Sequence, residues 1–168
     1  MNQAYLDGLR TLFDGEVMGE RLLLDMLAVA KSPRDAWCFA HILQLETETK
    51  ARLRPLMLKH GLGLAETPDL SGVPGRVAAY LEQSWQGYAA GTAARLGPIL
   101  EQYKAIATLG PPEDQDILQA VVAHEAALVT WARLEAQGES NESLDDMAAL
   151  LKFPLTGVAP AAGKLRRG

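Results

Sequence analysis

Four long segments, each with apolar residues at helical spacing and set off by proline, glycine and capping residues, limit this chain more than any other feature. The first runs from about Ala4 to Lys31, where Leu6, Leu9, Leu12, Phe13, Val17, Leu23, Leu24 and Leu27 recur every three or four positions. Ser32-Pro33-Arg34-Asp35 reads as a new start, with a capping serine, a proline at the first helical position and an acid three residues after the cap. The second helix should reach His60 and stop at Gly61. Residues 61–73, "GLGLAETPDLSGV", carry no helical stripe and read as a connection. The third helix is expected from Pro74 to Leu109, kinked at Gly97-Pro98. "GPPED" at 110–114 opens the fourth with an acidic first turn, and Gly138 closes it. Ser143-Leu-Asp-Asp146 is placed to cap a short fifth helix to Lys152, so that residues 1–153 form one domain and residues 154–168 a flexible tail.

Lengths turn these segments into an architecture. A helix of about 26 residues is roughly 39 Å long at 1.5 Å per residue. The short turns between helices one and two and between three and four pair them antiparallel, which defines a four-helix bundle. A 13-residue connection stretches to roughly 43 Å. It is therefore long enough to cross the whole bundle between helices two and three and leave those two parallel.

Composition excludes several function classes. A net charge of -5 argues against general attraction to nucleic acid or an anionic membrane, and the basic cluster Lys164-Leu-Arg-Arg167 reads as part of a solvated tail. Only 6% of residues are aromatic, and alanine and leucine recur throughout, so the expected class is all-α. The single cysteine, Cys38, sits in "DAWCFAHI" and reads as a packed thiol. The N-terminus lacks a signal-peptide pattern and no stretch has 18 consecutive apolar residues, which predicts a cytoplasmic protein. Phosphate loops, cysteine/histidine metal spacings and nucleophile triads have no counterpart in the sequence. Trp37, Trp85, Trp131, Tyr80, Tyr88 and Tyr103 read as core aromatics, with the lining of a pocket as the alternative. The small residues Gly87, Ala90, Gly91 and Ala94 suit either tight packing or a homodimer face.

The chemistry lies in glutamates on the apolar stripes. Glu16 and Glu20 fall in line with Leu9, Phe13, Leu24 and Leu27 on helix one. Glu46 falls in line with Phe39, Ile42, Leu43, Leu53 and Met57 on helix two, and Glu125 with Leu118, Val121, Leu128 and Ala132 on helix four. A buried carboxylate needs a metal, a cation, a hydrogen-bond donor or a proton. Lys50, four residues after Glu46, and the Thr49 hydroxyl are candidate partners for Glu46.

Inward glutamates from several helices, in the motifs "LFDGEVMGERLLLDML", "LETETKARL" and "VVAHEAALVTWA", resemble the ferritin-like superfamily and its rubrerythrin-like members over roughly residues 5–138. The resemblance implies a carboxylate-bridged dimetal site, in which two helices each give a Glu and two give Glu-x-x-His. It places ligands at Glu16, Glu46 and Glu125, with Glu20 nearby. It also exposes three departures. Thr49 and Leu128 stand where the family has its histidines, and Gly97 where it has the third-helix glutamate. His41 lies about 140° around the helix from Glu46, and His124 about 100° from Glu125, so neither is expected to stand in for a lost ligand.

Two expectations follow. In the first, the bundle is a binding or interaction module with an incomplete dimetal site and no metal cofactor, with a homodimer face and no nucleic-acid or membrane partner. In the second, it is a di-iron or di-manganese oxidoreductase whose metals are held by Glu16, Glu46, Glu101 and Glu125, with His124 or His41 reaching in from an unexpected turn. A purely structural helical protein is the remaining alternative.

Overall fold

The computed structural model describes residues 2–157 and residue 160, and every regular element among them is helical. Helix α1 spans Gln3–Ala28 and is capped by the Asn2 side chain, which accepts from the Ala4 N–H. Helix α2 spans Pro33–Lys59. Its Ser32 cap accepts from the Asp35 N–H, as the sequence predicts, and Gly61 past its end adopts φ +71°. Helices α3 (Val73–Glu82) and α4 (Trp85–Leu109) follow. A 3-10 turn at Pro112–Asp114 leads into α5 (Gln115–Gln137), which ends at Gly138 in the left-handed region, and α6 covers Asp145–Leu150.

Two predicted boundaries move. The expected third helix is two helices, broken at Gln83-Ser84, because the Ser84 hydroxyl accepts from the Gly87 N–H and starts α4 afresh. The helix runs on through Pro98. That proline and Ala94, whose carbonyl loses its partner, are both exposed, so the freed group lies on a face open to solvent. Helix α6 stops two residues short of Lys152, and Ser143 does not cap it: its hydroxyl donates to Glu135. Residues 158–159 and 161–168, and with them most of the expected tail and the Lys164–Arg167 cluster, lie outside the described residues.

Contacts between side chains fix the direction of each helix. Arg34 meets Glu135, Thr49 meets His124 and Lys59 meets Asp114, so α2 and α5 are antiparallel. A Cβ on Gly8 would touch Ile106, and one on Gly15 would touch Tyr103, so α1 and α4 are antiparallel too. With α1 and α2 joined by a tight turn, α2 and α4 run the same way. The segment between them travels the length of the bundle. It is held by Arg10 to the Gly63 and Ala65 carbonyls, by Lys50 to Glu66 at 2.9 Å, and by Tyr80, which donates to Asp35 at 2.6 Å.

The core has an apolar half at each end. One contains Met26, Phe39, Tyr80, Leu128 and Trp131, and the other Leu9, Phe13, Leu53, Met57, Leu118 and Val121. On α1, α2 and α5 the two halves are separated by buried polar residues, Glu16 on α1, Glu46, Thr49 and Lys50 on α2, and His124 and Glu125 on α5. Leu24, expected on the α1 stripe, is 53% exposed, and Leu23 and Met26 carry the stripe instead.

Polar networks pin the two ends. Glu135, with no exposed surface, accepts from Arg34 at 2.8 Å, Trp85 Nε1 at 2.6 Å, and the Ser140 and Ser143 hydroxyls. Burial pushes its carboxyl up, but the hydrogen bonds from Ser143, Trp85, Arg34 and Ser140 outweigh burial and hold it below the ordinary glutamate range. At the other end Asp114 accepts from Tyr5 at 2.7 Å and pairs with Lys59 and His60.

Candidate functional site

The polar layer between the two apolar halves brings together Glu16 from α1, Glu46 from α2, and His124 and Glu125 from α5. All four are at least nine-tenths buried. One ligand-type atom from each of Glu16, Glu46 and His124 lies within 4.8 Å of the others. The close approach of Glu46 to α1 depends on Gly19, where a Cβ would sit 2.4 Å from the Glu46 carboxyl carbon.

His124, outside the site in the first expectation and reaching in from an unexpected turn in the second, lies within the cluster. Its Nδ1 lies 2.9 Å from the Thr49 hydroxyl and 3.3 Å from Glu16 Oε2, and its Nε2 lies 3.8 Å from Glu46 Oε1. An offset of about 100° from Glu125 excludes His124 only where the buried face of the helix is narrow. On α5, however, Val121, Ala127, Leu128, Val129, Trp131 and Ala132 are all buried, so the buried arc is wide enough to hold two neighbouring residues. The near-continuous apolar character of "VVAHEAALVTWA" was the available signal. Thr49, a position where the family resemblance has a histidine, holds the histidine of another helix in place.

The remaining candidates divide cleanly. Glu20 lies at the edge and pairs with Lys50, which also pairs with Glu66 and not with Glu46 as the helical spacing suggested. Glu101 is on the far side of α4, with its side chain 71% exposed and paired with Lys104, so it does not restore a carboxylate to the site. Gly97 faces open space, and the residues α4 turns toward the cluster are Thr92, Arg95, Leu96, Ile99 and Tyr103. His41 contacts Trp37, its Nδ1 2.9 Å from the Trp37 carbonyl oxygen, away from the cluster. Leu128 is buried beside the cluster. Cys38 is fully buried, and Ala90, Gly91 and Ala94 are exposed. Tyr80, Tyr88, Trp85 and Trp131 pack with Phe39 in the core, mostly edge-on, and Tyr103 is buried in the other apolar half with its side chain bordering the cavity.

Electrostatics follow from crowding carboxylates in a dry layer. Burial, and then the neighbouring Glu16, push the Glu46 carboxyl well above the usual range. Burial pushes Glu125 up to about 7. Burial works against charge on His124, yet Glu16 and Glu46 outweigh it and raise the imidazole. Three buried atoms in this layer, Glu16 Oε2, His124 Nε2 and Glu125 Oε1, have no hydrogen-bond partner.

A cavity of about 90 Å³ opens beside the cluster. Glu16, Glu46 and Glu125 line one part, Leu22, Ile42 and Leu128 line another, and Arg76 from α3 and Arg95 from α4 also face it. This donor set does not fit a pair of metals. Two-metal ligation of this kind draws carboxylates from four helices and two imidazoles, whereas this cluster has one imidazole and α4 contributes a guanidinium. One ion is a better fit, because donors about 2.1 Å from a shared metal can lie up to roughly 4 Å apart. The 3.8 Å from His124 Nε2 to Glu46 is too long for a hydrogen bond and within that span.

The fold and the site therefore define an all-helical bundle with a buried Glu-Glu-His cluster beside a small cavity. The chain matches no known family model, no curated protein and no solved structure. No described helix is long and apolar enough to cross a membrane.

Proposed function

We propose that this chain is a ferritin-like four-helix bundle whose two-metal centre has been reduced, and that it works as a binding module, with the cavity beside the old centre as its site. The observation that carries this reading is Arg95: to the cavity beside the cluster α4 presents a guanidinium and no carboxylate. A positive group there opposes a second cation and favours an anionic guest. The order of the three glutamate motifs and the long crossover between α2 and α4 support the ferritin-like assignment.

A second reading is favoured by the 3.8 Å separation of His124 Nε2 and Glu46. In it Glu16, Glu46 and His124 hold one divalent ion, and Thr49 accepts the Nδ1 proton so that Nε2 is free to ligate. Such an ion would supply Lewis-acid polarisation of a bound oxygen. Loading the protein with iron(II), manganese(II) or zinc(II), followed by elemental analysis, tests both readings. We expect at most one ion per chain. Two ions per chain, lost together in Glu46→Ala, would overturn the proposal.

A further inference from the structure

The cavity is charged oppositely at its two sides. Arg76 and Arg95 face it from α3 and α4, and neither forms an ion pair among the described residues. Arg95 is steadied by donating to the Thr92 hydroxyl at 3.2 Å. The same two arginines also line a shallow crevice between α3 and α4, so that they border both spaces. Arginine forks are suited to binding a planar carboxylate through two parallel hydrogen bonds. On the other side, Glu125 Oε1 is a buried acceptor without a donor, and Glu16 Oε2 makes no hydrogen bond and has only the His124 ring 3.3 Å away; the two residues, 5% and 1% exposed, line the cavity. A group carrying several N–H donors and a positive charge would satisfy both.

We propose that the cavity binds a small aminocarboxylate, with its carboxylate on Arg76 and Arg95 and its ammonium on Glu125 and Glu16. The inference rests on reading the cavity as a binding site, and it names the guest. Size agrees. One water needs about 15 Å³ of such space, so about 90 Å³ takes roughly six atoms of that size, the non-hydrogen content of a short amino acid. Leu22, Ile42 and Leu128 receive the short hydrocarbon part. A simple organic anion leaves the two glutamate acceptors unmet, and a simple amine leaves the arginines unmet. Only a guest with both ends satisfies the two sets together.

The test is ligand-observed NMR and calorimetric titration of the full chain at neutral pH with alanine, β-alanine and 4-aminobutanoate. Propanoate and propylamine serve as half-ligands, and butan-2-ol as an uncharged probe of similar size. At least one aminocarboxylate should bind ten-fold or more tightly than either half-ligand, and the tightest of the three sets the spacing between the charged sites. Arg95→Leu and Glu125→Gln should each weaken it ten-fold or more, while circular dichroism shows the helices intact. Equal binding of propanoate, or of propylamine, overturns the two-ended site. If butan-2-ol enters and no aminocarboxylate does, the guest is wrong and the binding cavity stands. If nothing enters, both the guest and the binding reading are overturned.

Discussion

Truncating Glu135 should be among the most damaging single changes outside the site. Its carboxylate has no exposed surface, pairs with Arg34 at 2.8 Å and accepts from Trp85, Ser140 and Ser143. Arg34 is only 8% exposed. Glu135→Ala therefore leaves a buried guanidinium without its counter-ion, a defect that costs about 3–5 kcal/mol. That is a large share of the 5–15 kcal/mol by which a domain is typically stable. Urea unfolding at pH 7 measures the loss. Glu135→Gln keeps the shape and an acceptor but removes the charge, and should cost about 1.5–3 kcal/mol. Adding Arg34→Met to Glu135→Leu should recover part of the loss, because no charge is then left buried. The pH dependence has a definite sign. The folded carboxyl is held below its ordinary value near 4.5, so its contribution is fully present above pH 4.5 and disappears as the pH falls through the lower folded value. The gap between wild type and Glu135→Gln should thus narrow from pH 7 to pH 3. A cost below about 1 kcal/mol for Glu135→Ala, or a gap that does not change with pH, refutes the reasoning.

Three other outcomes are expected. Burial pushes the Cys38 thiol up to about 12, so iodoacetamide at pH 8 should label it only after unfolding, as followed by mass spectrometry. Gly110→Ala should lower stability by about 1–3 kcal/mol in urea unfolding, since its Cβ would meet Leu118 at 2.2 Å and Tyr5 at 3.2 Å, both fully packed. Glu101→Ala should change stability by no more than about 0.5 kcal/mol and leave metal stoichiometry unaltered, and a drop in bound metal would return this exposed residue to the site.

Helix content, the starts of α1 and α2, the Gly138 stop and the inward course of Glu16, Glu46 and Glu125 were legible in the sequence, because each depends on residues within a turn or two. Caps, left-handed glycines and 3.6-residue periodicity are local matters. The break at Ser84 is also local, a serine cap, whereas Gly97-Pro98, the more conspicuous breaker, includes an exposed proline that the helix tolerates. Tertiary structure alone decided the rest. Whether His124 enters the cluster depends on how many helices enclose α5. Whether Lys50 serves Glu46 or Glu20 depends on where α1 and the crossover lie. The facing of Arg95 against Glu125, like the joining of Arg34 to a glutamate 101 residues away, depends on helices meeting across the bundle. A single chain's periodicity tells which side of a helix is buried, but the partner of a buried charge is set by distances between helices, and those exist only once the bundle has closed.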